Sequence, residues 1–399
     1  MRFAIETTTT RGPLTGIGQY VHRLTEAILP QLAPGEELLG FDGLSCSPVT
    51  SASVEARQAQ NDAISETGGA GGGRRTAHAA YLSLRGAAPV RRAARMLKQI
   101  AYQASERKFD VFHAVQIIPP GPFRKAVLPV IHDLSHIRFP ESHPAERVRW
   151  LEKRLKLSLE RVPFIQTVSQ FSKREIVDLL GIDPARIHVS YPGTAPSMSM
   201  APTSDEAIRR MKRYGVKTDQ YFLMVSTREP RKNFKTATEA YARLPAPVRQ
   251  RFPLLWIGHR GWGDLDLSAA VEGLINQGQI RIAGYVPDRD LPDLFRHSRL
   301  FILSSRYEGF GMPITEALTC GARIAVSDIP VFREVAGRFA SYVDPLDIDG
   351  WRDIMKEAAD GRDERPDPSA LTSWLKRYTW SANASQTLGL YRRLATGDF

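Results

Sequence analysis

The chain has little of what marks an exported, cross-linked or membrane-spanning protein. Two cysteines in 399 residues, Cys46 and Cys320, cannot build a disulfide framework or a cysteine metal cluster, so a reducing cytosol is the expected setting. No apolar run approaches the roughly 18 residues that a spanning helix needs. The opening Met1-Arg2-Phe3-Ala4-Ile5-Glu6 reads as a strand and lacks the basic, apolar and small-residue succession of a secretory leader. Zinc-finger spacing, an RNA-binding aromatic motif and an arginine-rich tail are also missing, which argues against a nucleic-acid partner. What remains is an ordinary globular composition, 42% hydrophobic and 24% charged, in a chain long enough for two or three domains.

Charge is unbalanced. A formal net charge of +11 favours anionic partners. The basic residues gather in two helical stretches. One carries Arg85, Arg91, Arg92, Arg95, Lys98, Arg107 and Lys108; the other carries Arg147, Arg149, Lys153, Arg154, Lys156 and Arg161. Each also has an apolar set, such as Val90, Ala94, Leu97 and Ala101 in the first. Two readings stand side by side, a solvated helix face and a surface seated against anionic lipid headgroups.

Short apolar runs alternate with helical patterns almost throughout, the pattern of parallel sheets covered by helices. The segment from Pro192 to Ser204 reads as a linker. It separates a domain over residues 1–195 from a second over 205–378, and the helical end, 379–399, is expected to pack back on the first. Residues 45–75 break the rhythm with small and polar residues, including Gly68-Gly69-Ala70-Gly71-Gly72-Gly73, and read as a mobile loop. Two doubly wound domains facing across a cleft follow, with ligands beyond the carboxyl ends of the strands.

The most informative segment is Glu308-Gly309-Phe310-Gly311-Met312-Pro313-Ile314-Thr315-Glu316. The apolar run Leu300 to Leu303 before it reads as a buried strand. Pro313 suits the first helical position, with Ile314, Ala317 and Leu318 as the buried face. Glu308 then sits at a strand's carboxyl end and Glu316 one turn into a helix. Between them lie free backbone N–H groups and the positive end of the helix dipole, which hold anions. Phosphate beside hydroxyl-accepting carboxylates is the chemistry of a nucleotide sugar.

Other segments point the same way. In Thr227-Arg228-Glu229-Pro230-Arg231-Lys232-Asn233, three cations at a helix start oppose the dipole, and a diphosphate explains them. Gly16-Ile17-Gly18-Gln19-Tyr20 follows the first strand but lacks the third glycine of the dinucleotide fingerprint, which disfavours a dehydrogenase. His132-Asp133-Leu134-Ser135 ends the strand Val127 to Ile131. The acidic pairs in Asp264-Leu265-Asp266, Asp288-Arg289-Asp290 and Asp347-Ile348-Asp349 superficially suggest a metal site, but their places at helix starts favour capping.

Together these motifs resemble the retaining GT-B glycosyltransferases of family 4 (group 1), which include bacterial mannosyltransferases of polysaccharide assembly. The likeness is carried by Ser305-Arg306-Tyr307-Glu308-Gly309-Phe310-Gly311-Met312-Pro313, continued by Glu316-Ala317-Leu318-Thr319-Cys320-Gly321 and Ser327-Asp328-Ile329-Pro330, then Glu334-Val335-Ala336-Gly337. Thr167 to Lys173 and Tyr191-Pro192-Gly193 complete it, with Ser169 or Ser172 as simple helix caps on the other reading. It covers nearly the whole chain except 45–75.

The resemblance implies an α/β GT-B fold of two Rossmann-like domains. It implies that Glu316 binds ribose hydroxyls, that Glu308 holds donor-sugar hydroxyls and is no nucleophile, and that Gly309, Phe310, Gly311 and Met312 approach sugar and phosphate through the backbone. Lys232 would contact the diphosphate, with Arg228 and Arg231 as rival companions. Gly16 and Gly18 would approach the donor phosphate. Tyr285 and Val286 would receive the base, and the loop Gly258-His259-Arg260-Gly261-Trp262-Gly263 would line the nucleotide side. His132 would lie near the donor sugar and acceptor; with Glu308 it makes the catalytic pair. No cofactor and no metal are implied. The partners implied are a nucleoside diphosphate sugar, GDP-mannose for choice, and a growing, lipid-linked bacterial glycan at the inner face of the cytoplasmic membrane. The rival readings are a hydrolase or phosphorylase-like enzyme and a non-catalytic nucleotide-sugar or glycan-binding protein of the same fold.

Overall fold

The computed structural model describes residues 1–11, 14, 16–66, 88–199, 204–258, 261, 266–361 and 367–399. The strands form two sheets. The first takes β1 (Arg2–Glu6), β2 (Glu37–Phe41), β3 (Cys46–Pro48), β4 (Val111–Ala114), β5 (Ala126–Ile131), β6 (Ile165–Thr167) and β7 (Ile187–Val189) in the order β3-β2-β1-β4-β5-β6-β7. The second takes β8 (Phe222–Val225), β9 (Leu254–Ile257), β10 (Ile280–Gly284), β11 (Leu300–Leu303), β12 (Ile324–Ser327) and β13 (Ser341–Val343) in the order β10-β9-β8-β11-β12-β13. All pairs are parallel except β2 with β3.

Helices cover both faces of each sheet, so the strands are buried on both sides and read as continuous apolar runs rather than alternating ones. Every residue of Leu300-Phe301-Ile302-Leu303 is buried. In both sheets the strand order reverses beside the first strand, between β1 and β4 and between β8 and β11. A crevice opens beyond the carboxyl ends of the strands at such a reversal.

The last helix, Trp380–Thr396, crosses back to the first sheet. Asn383 Nδ2 donates to the carbonyls of Ser190 (3.0 Å) and Tyr191 (2.9 Å). The Tyr391 hydroxyl lies 2.6 Å from His113 Nδ1, and Arg392 grips both Glu36 oxygens at 2.8 Å.

The expected mobile loop over 45–75 needs correction. Cys46–Pro48 pairs antiparallel with β2, and Ser51–Glu66 is a helix. The run is polar because β3 is an edge strand, where proline is tolerated, and because the helix buries few side chains, Val54 and Asn61 among them. Residues 67–75 and Arg85 lie outside the described residues. Among the described residues no helix is long and apolar enough to cross a membrane.

Candidate active site

The crevice at β8 and β11 faces the first sheet, and a cavity of about 290 Å³ lies between the two halves. From the second half it is lined by the ends of β8, β9, β10 and β11 and by the start of the helix Met312–Thr319; from the first half it is lined by Gly16, Tyr20, His132 and Asp133. The halves touch closely. Gly309 sits so near the His132 carbonyl that a Cβ there would lie 1.7 Å from the oxygen, so only glycine fits. The Ser169 and Ser172 hydroxyls both donate to the Gly309 carbonyl, at 2.6 and 3.1 Å. The Tyr307 hydroxyl accepts from the Leu134 amide (3.2 Å) and reaches the buried Glu175 (3.3 Å).

The cationic loop is shaped by its own sequence. Pro230 opens a 3₁₀ turn, Pro230–Lys232, and Asn233 follows in the left-handed region at φ 56°, which asparagine tolerates better than most residues. The Asn233 side chain donates to the carbonyls of Ser304 (3.0 Å) and Pro345 (2.5 Å). That pins the loop to the end of β11 and turns Arg231 and Lys232 toward Glu308.

Glu308 is buried and heavily bonded. It accepts from Lys232, from Arg231 (3.1 Å) and from the Ser305 hydroxyl (2.9 Å). Burial opposes its ionisation, but Lys232 and Arg231 outweigh burial and hold the carboxyl below its usual range. Asp133 behaves likewise. Burial would raise it, yet Arg231 and two hydrogen bonds from Ser135 lower it to about 2.

His132 is the opposite case, since burial pushes it down to about 4. Its Nε2 donates to the Val115 carbonyl (3.2 Å), leaving Nδ1 as the acceptor nitrogen of a neutral ring. The ring stands edge-on to Tyr20, centroids 4.8 Å apart. At the far end of the cavity, burial and then the neighbouring Asp288 push Glu316 up to about 7, against the pull of Arg23. Asp288 itself accepts from Gln19 at 2.9 Å and lies 3.5 Å from Arg23, both in the first half.

Such a cavity offers cations for phosphate, carboxylates for hydroxyls and an unprotonated imidazole on the facing wall. Comparison with known proteins decides its family. Residues 208–369 match the family described as glycosyl transferases group 1, and residues 54–197 match glycosyltransferase family 4. The O-antigen chain mannosyltransferase B of Escherichia coli is 32% identical over 401 residues, covering 99% of this chain and all of the relative. The chain belongs to the group 1, family 4 glycosyltransferases. The O-antigen chain mannosyltransferase RfbU of Salmonella typhimurium is 26% identical over 65% of this chain and 67% of its own length. A sucrose-phosphate synthase from Thermosynechococcus elongatus superposes with a TM-score of 0.63 at 16% identity, over the full length of both chains. That agreement is one of fold, the two-domain GT-B arrangement.

Within this glycosyltransferase the cavity gathers His132, Glu308, Gly16, Arg231, Lys232, Tyr285, Val286, Gly309, Phe310, Gly311, Met312 and Glu316 on its walls. Two of the expected donor-binding residues lie elsewhere. Gly18 is buried against the Thr9 carbonyl, which a Cβ would meet at 2.7 Å, so packing accounts for it. Arg228 is off the cavity wall, its guanidinium 5.9 Å from the Trp256 ring centroid; between the two rival arginines, Arg231 is the one in the cavity. Gly258 lines the cavity, while His259, Arg260, Trp262 and Gly263 fall outside the described residues.

The expectation that the acidic pairs serve as caps holds for Asp347, which accepts from the Gly350 amide at 2.9 Å. It fails for Asp288 and Asp290. Asp288 lines the cavity, and Asp290 takes Arg213 (3.0 Å) and Tyr214 (2.5 Å). Asp266 pairs with Lys235, and Asp264 lies outside the described residues. Ser169 does cap its helix, accepting from the Ser172 amide at 2.9 Å, while also bonding Gly309. Asn61 was missed altogether. From the helix Ser51–Glu66 it accepts from the Leu14 amide (3.0 Å) and donates to the Tyr285 hydroxyl (2.5 Å), linking both halves at the cavity.

Proposed function

We propose that this glycosyltransferase moves mannose, with retention, from GDP-mannose to a growing, lipid-linked bacterial glycan. One observation carries the reading. His132 and Glu308 belong to different halves yet line one cavity that also holds Lys232 and Glu316. In this reading Glu316 accepts from the ribose, and Arg231 and Lys232 take the diphosphate. Glu308 holds the sugar, with His132 beside the acceptor hydroxyl. The mannosyl assignment is supported by the full-length likeness to an enzyme named for O-antigen mannosyl transfer.

Two cations and a helix N-terminus stabilise a leaving diphosphate electrostatically, so the reaction runs without a divalent ion. Glu308 acts by hydrogen bonding, since a covalent route needs a free carboxylate at the anomeric carbon. Membrane seating at the inner face is supported by apolar side chains exposed beside basic ones. Met96, Leu97 and Ile100 are 66%, 59% and 55% exposed, and Leu157 is 64% exposed between Lys156 and its helix neighbours.

A thermal-shift screen of GDP, UDP, ADP and their sugars tests the donor, because a ligand at 100 times its dissociation constant adds about 2.7 kcal/mol. GDP and GDP-mannose should protect best. Protection by UDP-sugars alone would overturn the donor assignment. Product analysis with and without acceptor separates transfer from hydrolysis.

A further inference from the structure

The first sheet has a crevice of its own, and a second cavity occupies it. Glu6 ends β1, and Gln116 lies two residues beyond β4; both line a cavity of about 590 Å³ that shares no lining residue with the first. This is where the strand order reverses, the place where open α/β sheets bind ligands. The two cavities adjoin across one backbone segment. The Val115 carbonyl accepts from His132 at 3.2 Å, and the next residue, Gln116, donates to Glu6 Oε1 at 3.2 Å.

The lining has two chemistries. Glu6 is fully buried. Its Oε1 accepts from Lys98 (2.5 Å), Thr8 (3.0 Å) and Gln116, while Oε2 has no hydrogen-bond partner among the described residues. A buried carboxylate with a vacant oxygen, an amide and the half-exposed face of Trp150 suit a sugar's hydroxyls and its apolar ring face. The rim is cationic. Arg147 and Arg154 stand on one face of the helix Ala145–Glu160, and neither has a carboxylate partner among the described residues. Unpaired arginines at a cavity recognise phosphate.

We propose that this second cavity is the acceptor subsite and that its ligand is a saccharide bearing a phosphate group. The sugar lies on Trp150, Gln116 and Glu6, and the phosphate on Arg147 and Arg154. A saccharide running over the Val115–Gln116 segment presents its terminal sugar to His132. The assignment deepens the transferase reading above and rests on it for the word acceptor.

The test is calorimetric binding to the full chain, using methyl mannoside, methyl mannoside 6-phosphate, inorganic phosphate and vesicles of phosphatidylglycerol. The phosphorylated mannoside should bind at least about tenfold more tightly than the neutral one. Arg147→Gln with Arg154→Gln should abolish that preference, and Glu6→Gln should weaken both mannosides. Nucleotide protection in the thermal-shift screen should persist in the arginine variant, which shows that it folds. Equal affinity for the two mannosides overturns the proposal, as does a preference that survives the double substitution. Inorganic phosphate binding as tightly as the phosphorylated sugar makes this a bare anion site, and loss of vesicle binding alone makes it a membrane surface; either outcome overturns it. Failure of every nucleotide to protect the wild type strikes the transferase reading instead and leaves the binding result standing.

Discussion

Lys232 and Glu308 are hydrogen-bonded to each other on the cavity wall, with Arg231 closing on the same carboxylate. The cations to which the proposal gives the diphosphate and the carboxylate to which it gives the sugar are therefore engaged with each other. On the proposed reading a nucleotide sugar satisfies both at once, offering phosphate to Lys232 and hydroxyls to Glu308. A nucleotide without its sugar leaves Glu308 in competition with the phosphate.

Lys232→Ala is expected to weaken binding of the donor nucleotide by about ten- to one-hundredfold, matching the roughly 1.5–3 kcal/mol of a charge-assisted contact. Glu308→Gln should act differently, holding or tightening nucleoside diphosphate binding while transfer falls by about one hundredfold or more. Titration calorimetry alongside initial rates separates these outcomes. Parallel losses in both variants would contradict the assigned roles.

Glu316 makes stability depend on pH in an unusual direction. Its carboxyl is raised from 4.5 to about 7 in the folded chain. Over that window the folded state keeps a proton that the unfolded state has lost, so stability falls as pH rises from about 4.5 to about 7 and then levels off. Glu316→Gln should raise the melting temperature at pH 8 and leave it nearly unchanged at pH 4.5. Nucleotide affinity should rise with pH across 7 in the wild type only, as the ionised carboxylate becomes the better acceptor. A variant no more stable than the wild type at pH 8 contradicts the burial argument.

Gly309→Ala should prise the halves apart, because the added methyl has nowhere to go but the His132 carbonyl. Small-angle scattering should show a larger radius of gyration, with circular dichroism unchanged and transfer nearly abolished. An unchanged radius with full activity would show that the closure is not needed.

Activity in excess chelator is expected to match that without it if, as proposed, Arg231 and Lys232 supply the positive charge. Abolition of activity, restored by magnesium, would show that they do not suffice.

Much of this was legible in the chain. Buried parallel strands such as Leu300–Leu303 announce themselves as short apolar runs, and the step from Glu308 through Pro313 to Glu316 encodes a strand end, a glycine turn and a helix start in consecutive residues. Asp288 was hidden because an aspartate before a helix looks like a cap, and only tertiary contact with Gln19 and Arg23 reveals its other use. Asn61 was hidden for a related reason. The helix that carries it buries few side chains, so its pattern resembled a loop, and its two hydrogen bonds join residues 47 and 224 positions away. Arg228 and Arg231 could not be separated because a loop's sequence does not say which side chain turns inward; Asn233 settles that through bonds to Ser304 and Pro345.

Glu334 belongs to the second half, yet its carboxylate accepts the Gln170 and Phe171 amides (2.7 and 2.8 Å) at the start of the helix Gln170–Leu180 in the first, and the Tyr191 hydroxyl at 3.0 Å. Two of the amides that a helix leaves unsatisfied at its start are thus supplied with an acceptor by the opposite domain. Separating the halves would leave these two amides without that acceptor while Ser169 keeps its own cap on the Ser172 amide, so the contact between the domains also steadies the first turn of this helix.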